Sequence, residues 1–377
     1  MNEYLIPTNR YQSLDIFRGF IICLMIVVNT SGNNDSTFWL LKHADWNGFT
    51  LADLVFPSFL FAVGISLSFV STRWKSMKES EVIQKIFKRT ILIFIIGFLL
   101  YWFPFISFDN QLHLFFKPIS QTRIMGVLQR IALCYGISAL LFYYFGTRKT
   151  LFIGFFTLFV YWFLLLIFGE NGNEFSKSGN AVLRFDLWIL GAKHLYTGEG
   201  FLFDPEGLLS TIPALFNVII GLTVGQFIQQ KKSKKNSIHL FLSIGFIWVI
   251  LAIGWNQILP INKKLWTSSY ALLSVGLDCI LLSCVIYLTE NFGFRKGSHF
   301  FELAGKNSLL IYLISELGVS ILFIINIGNE SLFGWIYNHL FIIGNEQIRA
   351  LSFSIWWMFT CWFLIYILDK QKINLKI

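Results

Sequence analysis

The chain has 377 residues, of which 55% are hydrophobic, 18% aromatic and only 14% charged. Soluble domains carry about 25% charged residues, so a water-soluble globule is excluded and most side chains must face lipid or other helices. The net charge of +9 raises the question of a nucleic-acid partner. No base-stacking or groove-reading pattern accompanies the basic residues, and none is expected.

A helix needs ~20 residues to cross ~30 Å of hydrocarbon. Runs of that length with at most one acid predict an all-α, polytopic integral membrane protein with about ten transmembrane helices in one domain, 1–377. The expected spans are 15–32, 52–72, 90–107, 126–145, 150–168, 208–228, 238–257, 267–289, 306–326 and 350–369. Nothing at the N-terminus reads as a cleavable signal, so the first span is expected to be retained. With this arrangement the tails and even-numbered connections hold twenty of the thirty Lys and Arg residues, among them Arg10, Lys231, Lys232, Arg295, Lys296 and Lys376. The positive-inside rule then places both termini in the cytoplasm. His43, His113, His194 and His339 fall on the outer half, His239 and His299 on the inner half.

In chain order, the first polar signal is "SLDIFRG", where Asp15 and Arg18 stand one turn apart as an i,i+3 ion pair or a functional pair. Asn29 closes the same span, as a terminal cap or as a donor to a reacting oxygen. The run "LKHADWNGFTLADLVFPSFLFAVG" then gathers His43, Asp45, Trp46, Asn47 and Asp53 at the mouth of an apolar segment. A membrane anchor needs none of these. An imidazole oriented by a carboxylate is a usable proton-transfer group, with Trp46 and Asn47 as a stacking surface and a polar handle.

"TRIMGVLQRIALCYG" places Arg123, Gln129 and Arg130 at the head of the fourth span, Arg130 either snorkelling outward or binding an anion. The connection 170–206 is too short for a domain but long enough to cover a site. It ends in "LFDPEGLLSTIPA", where Glu206 is either a helix-N-terminal acid or a substrate group. "LPINKKLWTSSY" leads into the eighth span with Lys263, Lys264 and Trp266, the last an aromatic-belt or site residue. Asp278 and Glu316 lie inside spans, where an ionisable group is a functional candidate by default. Gly221, Gly225 and Gly276 permit close helix approach or leave room for a ligand. The apolar stretch near 332–343 is too short to span and reads as interfacial.

All five cysteines fall in spans without zinc-site spacing, so neither a disulfide nor a metal is expected. No GxSxG, P-loop, HExxH or CxxC supports a serine hydrolase, an ATPase, a zinc protease or a dithiol enzyme.

The segments "RYQSLDIFRGFIICLMIVVNTSG", "KHADWNGFTLADLVFPSFLFAVG", "RIMGVLQRIALCYG", "FDPEGLLSTIPA", "INKKLWTSSY" and "GKNSLLIYLISE" resemble, in order, the transmembrane core of the heparan-α-glucosaminide N-acetyltransferase family. The resemblance runs from about Arg10 to the last helix, and the run around His43 is its most specific part. It implies acetyl transfer from acetyl-CoA to the amine of a glucosamine-type sugar across a bacterial inner membrane, with a periplasmic acceptor. The family's active-site histidine falls on His43 and an implicated asparagine on Asn29. His43 is then expected to be general base or transient acyl acceptor, Asn29 an oxyanion donor, and Asp45 or Asp53 the group that orients the ring. Trp46, Asn47, Gln129, Arg130, Glu206 and Trp266 are expected to line the substrate cavity.

The lysosomal members' domain before the core has no counterpart in the short expected tail. Asp45 stands at a small hydroxyl position, Met125 at a proline, Asp278 at an apolar residue and Ser315 at a histidine. The residues alone leave open a transporter or flippase using Asp278 and Glu316, an O-acyltransferase of cell-envelope glycans, and a homodimeric assembly.

Overall fold

A computed structural model describes residues 12–108, 114–198, 200–230, 234–293 and 297–373. Arg10, His113, Lys231, Lys232, Arg295, Lys296 and Lys376 lie outside the described residues. The long apolar runs become helices: α1 (Gln12–Asn29), α2 (Leu51–Ser71), α3 (Glu79–Trp102), α4 (Val127–Phe168), α6 (Thr211–Gln230), α7 (Lys234–Trp255), α8 (Ser268–Ile286) and α12 (Glu346–Lys370). Shorter helices are α5 (Ala181–Leu190), α9 (Ser298–Lys306), α10 (Ser308–Ile324) and α11 (Leu332–Leu340). Two small antiparallel hairpins, β1 (Ile106–Phe108) with β2 (Leu114–Phe116) and β3 (Asn326–Ile327) with β4 (Glu330–Ser331), sit in connections.

Seven of the described helices are long and apolar enough to cross a membrane, and the pair α9 and α10, bent by 82°, makes up to eight. The expected ten is larger for two reasons. α4 is 42 residues long, about 63 Å at ~1.5 Å per residue and thus twice the hydrocarbon thickness. It is two helices joined at Gly146, whose φ of 69° is non-helical, so the expected spans 126–145 and 150–168 are counted there as one. α3 opens with a charged first half, Glu79 to Arg89, and its apolar part alone corresponds to 90–107. α11 takes up the interfacial stretch.

α1, α2, α6 and α8 form the buried centre, whereas α7, α12 and much of α4 present apolar side chains outward. The outer surface carries Phe152, Phe156, Phe159 and Phe163 of α4 and Ile250 and Leu251 of α7, as a lipid-facing surface does. The central helices touch backbone to backbone. A Cβ on Gly221 would lie 2.0 Å from the Phe61 carbonyl oxygen, so α6 meets α2 only because that position has no side chain. Gly276 serves the α7–α8 contact in the same way. All five cysteines are free; four are buried and Cys284 is exposed.

α2 also shows how the bundle fixes the site. Pro57 lies inside it and cannot donate to the carbonyl of Asp53, four residues back. The hydroxyl of Tyr270 on α8 supplies that bond instead, at 2.7 Å, so the first turn of α2 is tied to α8 through the residue whose side chain meets His43.

Candidate active site

Asp53 is the third residue of α2 and closes a capping box with Thr50. One carboxylate oxygen accepts from the N–H groups of Thr50 (3.0 Å) and Ala44 (3.2 Å) and from the Thr50 hydroxyl (3.2 Å). The other faces Nδ1 of His43 at 2.8 Å. The carboxylate is 1% exposed and the imidazole 39%. Since Asp53 only accepts, Nδ1 carries the hydrogen and the Nε2 lone pair stays available. A helix cap thus doubles as the orienter of the His43 ring.

The residues after His43 are held by two separate connections. Trp46 Nε1 donates to the Phe175 carbonyl at 2.7 Å and its ring packs edge-on against Phe201 and Phe203. The amide of Asn262 donates to the Asn47 side-chain oxygen at 3.0 Å. Gly48 has φ +117°, which disfavours any other residue, and its N–H donates to the Ile261 carbonyl at 2.8 Å. "WNG" is therefore a three-point dock onto the connections before α6 and α8.

That second dock brings in Lys263. Its ammonium lies 3.1 and 3.3 Å from the two ring nitrogens of His43 and 3.8 Å from Asp53. Partial burial and then the Lys263 charge hold the His43 pKa below that of a free imidazole, against the opposing pull of Asp53. Lys264 reaches the Asp45 backbone carbonyl at 2.8 Å. Orientation of His43 thus falls to Asp53 and not to Asp45, which is exposed and enters these contacts through its carbonyl.

A second ionic centre adjoins the first. Arg123 binds Asp204 through two bonds, 2.9 and 2.6 Å, and Glu206 at 2.6 Å, with the rings of Tyr101 and Tyr196 near its guanidinium. Burial pushes the Glu206 pKa up, but the charges of Arg123, Arg130 and Lys263 outweigh it and leave the group below its ordinary value. Asp186 of α5 holds the turn after Glu206, accepting from the N–H groups of Leu208 and Leu209, both at 3.1 Å. Burial pushes Asp186 itself up to about 7. Glu206 also acts electrostatically on His43, which joins the two centres.

Three residues expected to line the cavity lie in the interior of the bundle. Gln129, Arg130 and Trp266 are each 0% exposed. Arg130 neither snorkels nor meets solvent: it donates to the Gly207 carbonyl at 2.9 Å and to the Ser210 hydroxyl, and stacks on Trp266. Trp266 is no belt residue, since its ring lies between Phe56 and Tyr270 and its Nε1 donates to Asn217 at 3.3 Å. Burial at a helix junction, which local sequence does not encode, separates these from Trp46. Asn29 is exposed at the end of α1, and its described side-chain contact is with Glu316 of α10, not with His43. Asp278 is fully buried and bonded to the Ser58 hydroxyl.

The profile of the family described as heparan-alpha-glucosaminide N-acetyltransferase, catalytic, matches residues 10–261. The chain belongs to that family. Two relatives named heparan-alpha-glucosaminide N-acetyltransferase match it at low identity, the mouse protein at 27% over 366 residues and the human protein at 28% over 365. Each alignment covers 82% of this chain but 54% and 53% of the relative. The chain therefore spans about half the length of the curated relatives it matches. The profile match takes in the loop carrying His43, the first turn of α2, Arg123 and Glu206, and it stops two residues before Lys263.

Of the site residues expected from sequence, His43, Asp53, Trp46, Asn47 and Glu206 cluster at the end of the bundle where α1 stops and α2 begins. Lys263 was missed as a site residue. Its signal was its side: adjacent lysines in an odd-numbered connection run against the positive-inside bias and so need a local reason.

Proposed function

We propose that this heparan-α-glucosaminide N-acetyltransferase family member is a transmembrane acetyltransferase. It takes the acetyl group of acetyl-CoA to the amine of a glucosamine-type sugar, at a site facing the outer, periplasmic side of a bacterial inner membrane. The observation that carries this reading is the His43–Asp53 pair: a carboxylate already satisfied by two backbone N–H groups and a hydroxyl gives its remaining oxygen to Nδ1 and leaves Nε2 available for a substrate proton.

In this mechanism the acceptor nitrogen attacks the thioester carbonyl carbon while Nε2 of His43 removes the amine proton. The tetrahedral oxyanion collapses and expels the CoA thiolate, and the imidazolium returns its proton to that sulfur. Asp53 stabilises the imidazolium between the two steps. Glu206, held beside the centre by Arg123 and coupled to His43, supplies negative charge suited to an amino sugar. Trp46, backed by Phe201 and Phe203, offers an apolar face to a sugar ring. Arg130, backed by Trp266, acts behind these groups as the packing that holds the 207–210 turn.

The test is transfer of labelled acetyl from acetyl-CoA, with purified protein, to a panel of amino sugars and their hydroxyl counterparts. Wild type is expected to label amino sugars and His43→Ala to lose at least 99% of the rate, since general-base catalysis contributes about 10²–10⁴-fold. A folded, monodisperse His43→Ala protein that transfers acetyl at the wild-type rate refutes the role of His43. Labelling confined to hydroxyl sugars makes the protein an O-acyltransferase.

A further inference from the structure

Lys263 has no place in the mechanism above, yet it is the cation nearest the reacting imidazole. Its Nζ lies 3.1 Å from Nδ1 and 3.3 Å from Nε2 of His43 and 3.8 Å from the Asp53 carboxylate. A neutral imidazole has one in-plane lone pair, and Nδ1 is already committed to Asp53. An ammonium almost equidistant from both nitrogens therefore acts on the ring as a close positive charge more than as a donor to one atom. The side chain is 14% exposed, and neighbouring contacts fix its backbone. Asn262 binds Asn47, Ile261 accepts from Gly48, Trp266 N–H donates to the Lys263 carbonyl at 2.9 Å, and Lys264 grips the Asp45 carbonyl.

We propose that Lys263 is a positioning residue of the transfer centre, whose ammonium keeps the His43 ring neutral and oriented between substrate cycles. The proposal rests on the reading of His43 as the base. Among the described residues, three charged groups act on the ring: Asp53 from the start of α2, Glu206 from the connection before α6 and Lys263 from the connection before α8. The two acids favour imidazolium, and an imidazolium cannot accept a proton. Lys263 is the counterweight that lets an imidazole flanked by two carboxylates remain a base near neutral pH. Its ammonium stands 3.8 Å from the Asp53 carboxylate as well, so it offsets the negative charge on that side of the ring.

The experiment reads the His43 proton directly and needs no substrate. The purified full chain is treated with diethylpyrocarbonate across pH 4.5–8.5, and modification of His43 is followed by peptide mass spectrometry, with exposed His339 as internal reference. Lys263→Met is expected to move the His43 midpoint up by about one pH unit, the effect of one unit charge at ~3 Å under water-like screening. The His339 midpoint is expected to stay where it was, and Lys263→Arg is expected to restore most of the wild-type value. If Lys263→Met does not give a monodisperse protein, Lys263→Gln replaces it. A His43 midpoint that is unchanged or lowered in the neutral variant overturns the proposal. Where acetyl transfer is measurable, the acid limb of kcat/KM is expected to move with the midpoint. A wild-type protein that transfers no acetyl to any acceptor sinks the proposed function, while the titration still decides the role of Lys263.

Discussion

Asp53→Asn isolates the orienting carboxylate with almost no change in volume. The amide has one oxygen, which is best placed toward the Thr50 and Ala44 N–H groups that cap α2. Its NH2 then faces His43 Nδ1, where a carboxylate oxygen sat at 2.8 Å. Two N–H groups cannot share that contact, so the ring moves its hydrogen to Nε2 and turns the lone pair toward the amide. The base is then blocked without being removed. Loss of charge-assisted bonds around a 1% exposed group costs about 1–3 kcal/mol of stability. The wrong tautomer lowers kcat by about four orders of magnitude in comparable carboxylate–imidazole pairs, about 5 kcal/mol on the barrier. The assay is acetyl transfer beside a thermal melt in the same detergent. Asp53→Ala should melt lower still, because it also strands two backbone donors at the helix start. An Asp53→Asn protein that is folded and transfers within tenfold of the wild-type rate refutes the assignment of Nδ1 to this carboxylate.

The remaining predictions concern charge and packing. The His43 pKa is lowered from an ordinary value of 6.5, so the neutral ring should persist into mildly acidic solution and the acid limb of kcat/KM should lie below pH 6.5. The same shift stabilises the fold fully above 6.5, and that contribution is lost as pH falls through the lower folded value; thermal melts from pH 7 to 4.5 check the sign. Arg123→Ala leaves Asp204 and Glu206 as adjacent, nearly buried acids, a loss of about 3–5 kcal/mol. Adding Asp204→Asn should raise the melting temperature of that variant. Gly221→Ala forces a methyl to within 2.0 Å of the Phe61 carbonyl, and the α2–α6 separation it requires should cost about 1–3 kcal/mol, read as a lower melting temperature in detergent.

Much of the fold was legible because lipid imposes a simple code. A helix must bond its own backbone in hydrocarbon, so charge-poor runs of about 20 residues become helices. Where reading and structure differ, a tertiary cause is visible. α9 and α10 meet at a sharp bend at Asn307, where one straight span was expected. The site was legible to the extent that its chemistry is local. His43 and Asp53 are ten residues apart, and the cap that orients the acid lies in the same stretch.

Composition alone thus determined a helical membrane protein, and one motif-rich loop carries both the proposed base and its carboxylate partner. Tertiary structure decided which carboxylate holds the ring, that Arg130 and Trp266 work from the interior, and that Lys263, 220 positions away, stands against His43. The physical reason lies in the range of the forces. Burial of apolar runs and helix capping act over neighbouring residues and leave a periodic trace in the chain. The electrostatics of a buried imidazole depend on whatever charges the packed bundle brings within a few ångströms, and no spacing in the sequence records that.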